Sequence, residues 1–433
     1  MNNFTFCNPT RLIFGKGTIA RLADEIPADA RIMMTYGGGS IRRNGVYDQV
    51  MAALRGRSVV EFGGIEPNPE YATLVRAIEL ARVEGVDFLL AVGGGSVIDG
   101  TKFIATGLKY EGDPWDFLVD PSRAVDAVPL ATVLTLPATG SEMNNGAVVS
   151  RRERNEKLAF HNPKGYPVFS VLDPEVCYSL PGRQVVNGIV DSFAHTLEQY
   201  LTFDSQSMVM DRWAEGLLQT LVELGPKLVE RHDRYDEVAN FMLTATMALN
   251  GFIAMGVPQD WATHMIGHEL TALHGLDHGV TLAIVYPGMM RVMRAEKFDK
   301  LVQYAERVWG ATGTPEQKAE AIALLTEAAA PYAGLTIDFE GLREEHREGF
   351  SSFMTDLRAA LPAHKTLFVC VQPDTWFKGF DYRALGEVCD RVILMAHDYQ
   401  WASIPDYYLG TGNTNCPVTP FDKIYTALQH ITD

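Results

Sequence analysis

Residues 88–103 read FLLAVGGGSVIDGTKF. An apolar run, three glycines and an amphipathic segment follow one another in this stretch, which is the pattern of a buried strand, a tight loop and a helix. The same order occurs at 31–53, where RIMMTY leads into GGGS, and again from VVEFGGI at 59–65. A further apolar run, VPLATVLTLP, lies at 128–137. This repetition predicts a parallel α/β sheet with right-handed crossovers.

The rest of the chain divides into two regions of different character. Strand signals fade from about Pro181, and apolar residues recur at helical intervals until about Trp309. After about Pro331, the stretches LTIDFE, TLFVCVQP and RVILMAHDY predict three more strands bordered by helical sequence. We therefore predict an α/β domain at 1–178, an all-helical domain at 179–320 and a βα segment at 321–433.

Composition limits the class of protein. The chain has 433 residues, 47% of them hydrophobic, and a net charge of −17, an acidity that argues against binding to nucleic acid or to an anionic membrane. No run of eighteen apolar residues and no secretory signal pattern is present. The five cysteines are scattered and lack CxxC spacing. We therefore expect a cytoplasmic protein with reduced thiols and with no nucleic-acid or membrane partner.

Two GGGS loops, Gly37–Ser40 and Gly93–Ser96, each follow an apolar run and open a helical segment. Glycines in such a loop let backbone amides approach a phosphate, and a helix N-terminus adds partial positive charge. Neither loop is the GxGxxG fingerprint, so each alone could be a plain turn between strand and helix. Two loops at corresponding strand ends favour a ligand site at the carboxyl edge of the sheet.

The first loop also bears on the choice of cofactor. An enzyme that selects NAD usually places a carboxylate near the adenosine 2′-hydroxyl. Here the loop continues as Gly38, Gly39 and Ser40, followed by Arg42 and Arg43, without an acid. These residues favour the 2′-phosphate of NADP, although the arginines could equally be solvated residues at a helix start.

Histidines crowd into DWATHMIGHELTALHGLDHG at 260–279. His264 and His268 are four residues apart, as are Asp191 and His195 in an earlier helical segment, so each pair lies on one helix face. A carboxylate with imidazoles suits a divalent first-row metal. Alternatively, Asp191, His195 and Glu198 form the solvated face of an amphipathic helix. Spacing alone leaves both interpretations open.

Long stretches of residues 1–312 resemble one enzyme family. They are TRLIFGKG, YGGGS, EFGGIEPNP, AVGGGSVIDGTKF, TLPATGSE, VLDP and VDSFAHTLEQY, and they are similar to the iron-containing alcohol dehydrogenases, in particular their NADPH-dependent butanol dehydrogenase-like branch. The resemblance implies a Rossmann-like parallel α/β domain that binds NADP(H), followed by an all-helical metal-binding domain. That second domain would be incomplete, because the family continues beyond Trp309 with further helices where this sequence changes character.

The resemblance also assigns residues. The family's metal ligands fall on Asp191, His195, His264 and His278. His268 would lie beside the metal as a proton relay, and we interpret His274 as a packing residue. The family's cofactor contacts fall on Gly37, Gly38, Ser40, Asn68, Gly94, Gly95, Ser96, Asp99, Thr135, Thr139 and Lys157.

The chemistry that the resemblance implies is hydride transfer between NADPH and short-chain aldehydes, reversible with primary alcohols. We expect one divalent metal, Fe²⁺ or Zn²⁺, to polarise the carbonyl and a proton to arrive through His268 or water. The family resemblance also implies a homodimer.

The C-terminal segment resembles a different family. YAGLTIDFEGLREEHREGFSSFMTDLRAAL, KTLFVCVQP and RVILMAHDYQW are similar to the middle of the chitinase-type barrel of glycoside hydrolase family 18. Asp338 and Glu340 are two apart on a predicted strand and would face the same way, as the acid pair of that family does. Ala333 replaces the first aspartate of the family motif, and His397 stands where a tyrosine is usual.

The segment is too short for a complete barrel, which needs about 250 residues. We therefore expect a partial βα-barrel fragment fused to the dehydrogenase-like part within EQKAEAIALLTEAAAPYAG. Two alternatives to the dehydrogenase follow. The chain could be a chitinase-like hydrolase or a protein that binds N-acetylglucosamine polymers through this segment, or it could be an inactive fusion.

Overall fold

The computed structural model describes residues 1–203, 206–319, 334–338, 342–361, 366–371 and 378–394. The chain divides into two compact units, 1–319 and 320–433, and each is described by itself. No helix in the described part of the chain has the length and apolar composition needed to cross a membrane.

Six parallel strands form the main sheet of the first unit, in the order β1-β8-β5-β4-β2-β3. The strands of this unit are β1 Arg11–Phe14, β2 Arg31–Tyr36, β3 Ser58–Phe62, β4 Phe88–Gly94, β5 Leu130–Leu136, β6 Gly146–Arg151, β7 Glu156–His161 and β8 Phe169–Leu172. Strands β4 and β5 are buried along almost their whole length, as their unbroken apolar runs require of central parallel strands. The predicted parallel α/β sheet is confirmed.

Strands β6 and β7 form a separate antiparallel hairpin that the sequence analysis did not predict. Its turn contains Asn155 in the left-handed region, at φ 52°, a conformation that asparagine adopts more readily than most residues. The hairpin packs against the helix that follows β4. It thereby carries Lys157 of β7 towards the carboxyl edge of the main sheet.

Six α-helices accompany the strands of the α/β domain: α1 Leu22–Glu25, α2 Ser40–Arg43, α3 Val46–Ala53, α4 Tyr71–Val83, α5 Gly95–Gly107 and α6 Asp116–Val119. Helix α5 packs on β4, β5 and β6 and is buried along most of its length. The helical segment predicted after the first glycine loop is interrupted. It begins as the single turn α2 and resumes as α3 after Gly45, whose φ is 80°.

The second half of the first unit is helical, as predicted. Its helices are α7 Gly182–Tyr200, α8 Met208–Glu230, α9 Tyr235–Ala248, α10 Ala262–His274, α11 His278–Val292, α12 Phe298–Trp309 and α13 Pro315–Ala319. Helix α7 contacts α8, α9 and α11, and α10 packs on α11. Buried Leu301, Tyr304, Ala305 and Val308 give α12 one apolar face, and this helix packs on α8.

In the second unit, β9 Gly334–Asp338, β10 Thr366–Val371 and β11 Arg391–Leu394 form a parallel sheet in the order β11-β10-β9. Two longer helices, α14 Arg347–Ala360 and α15 Tyr382–Val388, accompany them. The three strands predicted from sequence are therefore present. Three parallel strands with helices occur in many α/β folds, so the described residues give no support to a barrel fragment. Glu340, His397 and Ala333 lie outside the described residues.

A candidate metal centre beside the glycine loops

Three helices bring the four predicted metal ligands together. Asp191 and His195 lie one turn apart on α7, His264 lies on α10, and His278 is the first residue of α11. One ligand atom from each residue lies within 4.8 Å of the others. The Asp191 Oδ1 atom is 3.5 Å from His195 Nε2, 3.5 Å from His278 Nε2 and 3.8 Å from His264 Nε2. The four side chains thus surround one point.

These residues fit a divalent transition metal. Asp191, His195 and His264 are 3%, 3% and 5% exposed, and among the described residues Asp191 Oδ1 and His264 Nε2 have no hydrogen-bond partner. Buried polar atoms are normally bonded, and a shared ion would satisfy both. Two ligands at about 2.1 Å from a tetrahedral metal lie about 3.4 Å apart, close to the observed distances. Three imidazoles and a carboxylate are compatible with either zinc or iron.

Glu198 holds one of the ligands in place. It follows His195 by three residues on α7 and is 3% exposed. Its carboxylate accepts a hydrogen bond from the backbone N–H of His264 at 3.2 Å and a second one from His264 Nδ1. With Nδ1 acting as the donor, the lone pair of Nε2 faces Asp191. The interpretation of Asp191, His195 and Glu198 as a solvated helix face is therefore wrong.

Burial and charge set the protonation of the centre. Burial would raise the pKa of Asp191, but the imidazoles of His195, His278 and His264 outweigh it and hold this pKa well below its usual value. Burial lowers the pKa of His195 to about 4. It also opposes charge on His264, but the neighbouring carboxylates of Asp191 and Glu198 outweigh it and raise the pKa of His264 to about 9. A carboxylate and a neutral imidazole are the forms that bind metals.

His268 lies beside the centre without joining the four-residue set. It is one turn after His264 on α10 and 6% exposed, and its ring centroid is 5.4 Å from that of His278. Burial, reinforced by the charge of Lys157, lowers the pKa of His268 to about 2. His274 at the end of α10 is exposed, so the predicted packing role for it is wrong.

The two glycine loops follow the neighbouring parallel strands β2 and β4. A Cβ atom on Gly95 would lie 2.4 Å from the side chain of Thr139, and one on Gly37 would lie 3.2 Å from the carbonyl oxygen of Ile65. The second loop opens the thirteen-residue helix α5, whose N-terminus supports an anion. The first loop opens only the four-residue helix α2, so the expected contribution of a helix dipole applies to the second loop alone.

The remaining predicted cofactor residues lie at the same edge of the sheet. The backbone N–H of Asn68 donates to Ser96 Oγ at 3.3 Å, and Lys157 Nζ donates to Asn68 Oδ1 at 3.0 Å. Asp99 accepts hydrogen bonds from Ser141 Oγ and from the backbone of Val148. Eight predicted cofactor contacts lie at or just after the carboxyl ends of strands β2, β4 and β5: Gly37, Gly38, Ser40, Gly94, Gly95, Ser96, Thr135 and Thr139. Gly94 is the last residue of β4, and Thr135 is the second-last residue of β5.

Lys157 lies between this edge and the metal centre. It is 9% exposed, and burial lowers its pKa to about 8 although the carboxylates of Asp191 and Asp99 act in the opposite direction. Its hydrogen bond to Asn68 reaches the loops of the α/β domain, and its strand β7 packs on α10 of the helical domain. The candidate cofactor and metal sites are therefore adjacent.

Arg42 is exposed at the start of α2, but its guanidinium is bound to neighbouring side chains. Its Nη2 lies 2.6 Å from Glu61 Oε2 and 2.9 Å from the hydroxyl of Tyr36, and its guanidinium carbon lies 3.9 Å from the ring centroid of Tyr47. Glu61 belongs to β3, nineteen residues later in the chain. The inference that no acid accompanies the first loop is therefore wrong, because the fold brings one to it.

Comparisons with known proteins agree with this geometry. Residues 9–174 match a family model described as iron-containing alcohol dehydrogenase, and residues 185–331 match the Fe-containing alcohol dehydrogenase family, C-terminal. The second match ends beyond position 312, where the resemblance was expected to end. The chain is 56% identical over 325 residues to the NADPH-dependent aldehyde reductase YqhD of Escherichia coli, covering 74% of this chain and 84% of that protein.

Two further similarities extend the comparison. The probable NADH-dependent butanol dehydrogenase 1 of Bacillus subtilis is 44% identical, covering 71% of this chain and 81% of its own length. Among solved structures, the substrate- and cofactor-free aldehyde reductase YqhD from E. coli matches with a TM-score of 0.70 at 53% identity, covering 76% and 85% of the two chains. The NADH-dependent butanol dehydrogenase A from Thermotoga maritima matches with a TM-score of 0.74 at 38% identity, covering 81% and 90%. This chain belongs to the iron-containing alcohol dehydrogenase family.

Proposed function

We propose that the chain is a metal-containing, NADP(H)-dependent alcohol dehydrogenase that reduces short-chain aldehydes and oxidises the corresponding primary alcohols. The observation that carries this proposal is the convergence of Asp191, His195, His264 and His278 on one buried point beside the glycine loops. The names of its relatives, an NADPH-dependent aldehyde reductase and a butanol dehydrogenase, support the substrate class.

The four converging residues would hold the metal, as Fe²⁺ or Zn²⁺. When bound, the metal would supply a Lewis acid that polarises the aldehyde carbonyl, and NADPH would supply the hydride. The two glycine loops would bind cofactor phosphates through backbone amides, and Lys157 with Asn68 would border the cofactor on the side of the metal centre.

His268 is placed to move the proton that completes the alcohol. It is buried one turn from His264, and its lowered pKa keeps the ring neutral. A neutral imidazole can donate a proton from one nitrogen while it accepts one on the other. We therefore assign His268 the role of passing a proton to the developing alcohol oxygen, directly or through water.

The experiment that tests this function follows NADPH absorbance during reduction of butanal. Wild-type protein is expected to oxidise NADPH, to lose activity with a chelator and to regain it with added zinc or iron. His264→Ala should abolish turnover and leave NADPH binding nearly unchanged, because His264 belongs to the metal set and not to the loops. Equal loss of turnover and of NADPH binding in His264→Ala would show a structural role and would overturn the assignment.

We retain one alternative only as an outcome of that experiment. Asp338 is the last residue of β9 and Glu340 lies outside the described residues, so no observation favours a glycosidase. Release of product from a chitin oligosaccharide without oxidation of NADPH in the presence of butanal would reverse the proposal.

We also propose that the chain forms a homodimer. Phe4, Phe6 and Trp213 are 50%, 42% and 40% exposed. Phe252 lies between the last two, with its ring centroid 6.4 Å from that of Phe6 and 4.3 Å from that of Trp213. A continuous exposed apolar patch is typical of an interaction site. Size-exclusion chromatography with light scattering measures the molar mass of the protein in solution, and the mass of a monomer would contradict this proposal.

A further inference from the structure

Four side chains form a cluster against the first glycine loop. Tyr36 is the last residue of β2 and directly precedes Gly37, Arg42 and Tyr47 lie on α2 and α3, and Glu61 lies near the end of β3. The backbone N–H of Gly64 donates to the carbonyl of Gly37 at 3.1 Å, so the end of β3 is tied to this loop. The cluster therefore borders the loop at which the proposed cofactor would bind.

The guanidinium of Arg42 is fixed from several directions. Arg42 Nη2 donates to Glu61 Oε2 at 2.6 Å and to the Tyr36 hydroxyl at 2.9 Å. The Tyr47 hydroxyl donates to Glu61 Oε1 at 2.7 Å, and the Tyr47 ring lies under the guanidinium at 3.9 Å. Both hydrogen bonds of Arg42 use the same nitrogen, and 46% of its side chain remains exposed. Arg42 is thus held in one orientation and still presents donors to solvent.

The opposite charges of Glu61 and Arg42 favour different nicotinamide cofactors. A carboxylate beside the first loop would accept a hydrogen bond from the 2′-hydroxyl of NADH and would repel the 2′-phosphate of NADPH. A guanidinium attracts that phosphate and can bond it through two donors. In the observed cluster the charge of Glu61 is balanced by Arg42, and Glu61 holds the arginine that a phosphate would meet.

We infer that Arg42 selects NADPH over NADH by binding the adenosine 2′-phosphate, and that Glu61 acts as a positioning residue that would favour NADH once Arg42 is removed. This inference rests on the proposed function, because it assigns the discrimination step within the same cofactor site. A guanidinium fixed before binding loses little side-chain entropy when the phosphate arrives.

The test measures dissociation constants of NADPH and NADH by cofactor fluorescence for three single variants. Arg42→Gln should weaken NADPH by about tenfold or more, as loss of a charge-assisted contact predicts, and should leave NADH unchanged or tighter. Glu61→Gln keeps an acceptor for the tyrosines and Arg42 but removes the charge that orients the guanidinium, so NADPH should bind more weakly, and NADH binding should be unchanged while Arg42 is present. Arg43→Gln is the matched control, because Arg43 is an exposed neighbour outside the cluster, and should change neither constant.

Competition with adenosine 2′,5′-bisphosphate and with ADP locates the effect. Arg42→Gln should weaken the first competitor and not the second. Equal changes for NADPH and NADH in Arg42→Gln, or no change in either, would overturn the inference while wild-type turnover with butanal leaves the proposed function intact. Wild-type protein that binds NADPH but does not turn over would refute the proposed reaction alone. Protein that binds neither cofactor would refute both.

Discussion

His264 shows how a single neighbouring side chain prepares a metal ligand. A neutral imidazole carries its proton on either nitrogen, and the tautomer decides which nitrogen can bind a metal. Glu198 accepts a hydrogen bond from the Nδ1–H of His264. The lone pair of Nε2, which lies 3.8 Å from Asp191 Oδ1, is then available to a metal. Because Glu198 also accepts the backbone N–H of His264, it fixes both the ring and the start of α10.

We expect Glu198→Ala to lower metal affinity by about 10- to 100-fold, the usual effect of removing a carboxylate that orients a ligand histidine. Glu198→Gln should fall between this variant and the wild type, because its single oxygen can replace only one of the two accepted hydrogen bonds. Competition with a chromophoric chelator measures the affinity directly. Glu269→Gln removes an exposed carboxylate from α10, the helix that carries His264, and serves as the control. Unchanged metal affinity in Glu198→Ala would contradict the role.

Residue spacing predicted part of this site and could not predict the rest. The separation of four residues placed Asp191 with His195 and His264 with His268 on their helix faces. Spacing cannot tell which turn of α10 faces a partner helix, so only the family resemblance separated His264 and His278 from His268. Glu198 has the helical spacing of a partner of His195, yet only its hydrogen bonds to His264 of α10 distinguish this role from a solvated one. The pairing of Arg42 with Glu61 joins helix α2, which follows β2, to strand β3, and it depends on the sheet order.

At the scale of elements, close packing constrains the segment made of strand β4, the loop after it and helix α5, because both β4 and α5 are buried along most of their length. The apolar run of β4 was sufficient to predict a buried parallel strand, because both faces of the strand meet other elements. Hairpin β6–β7 escaped prediction because its turn, RRERNEK, is rich in charge and resembles a solvated loop. The break between α2 and α3 escaped prediction because the helical periodicity of the segment continues across Gly45.

Gly95 tests the importance of close packing in that segment. The Cβ atom of Gly95→Ala would lie 2.4 Å from the Thr139 side chain, so that Thr139 or the loop must move. We expect a loss of about 1–3 kcal/mol in the free energy of unfolding and weaker binding of NADPH. Urea unfolding and fluorescence titration measure the two effects.

The matched control is Gly216→Ala on α8. No atom lies within 4 Å of its added Cβ, and Gly216 is exposed within a helix, so alanine should stabilise the protein by about 0.5–1 kcal/mol. If Gly95→Ala behaved like Gly216→Ala, the contact with Thr139 would not constrain the loop.

At the scale of the whole first unit, the site depends on how the helical domain is closed. The sequence changes character after Trp309, which led to the expectation of an incomplete helical domain. In the structure, α12 is bound to α7 and α8 through Glu215, which is 4% exposed. Its Oε1 accepts hydrogen bonds from Tyr200 at 2.9 Å, Gln303 at 2.8 Å and Arg307 at 2.9 Å. Helix α7, which carries two metal ligands, is therefore tied to the last long helix of the unit.

Glu215→Ala should accordingly destabilise the first unit by about 3 kcal/mol, because it leaves buried donors and the Arg307 charge without their acceptor. Burial would raise the pKa of Glu215, but Arg307, Gln303 and Tyr200 outweigh it and hold the pKa below its ordinary value of 4.5. A carboxylate with a lowered pKa in the folded state contributes stability above its unfolded pKa and loses it as the pH falls through the folded value. The wild type should therefore lose stability relative to Glu215→Ala below about pH 4.5, so that the difference in free energy of unfolding between the two proteins narrows in acid.

Urea unfolding at pH 7 and at pH 4 measures that difference. A Glu215→Leu, Arg307→Met double variant, which removes both charges, should recover part of the loss at pH 7. A difference that is independent of pH, or a double variant no more stable than Glu215→Ala, would show that the ion pair does not hold α12 to the rest of the unit.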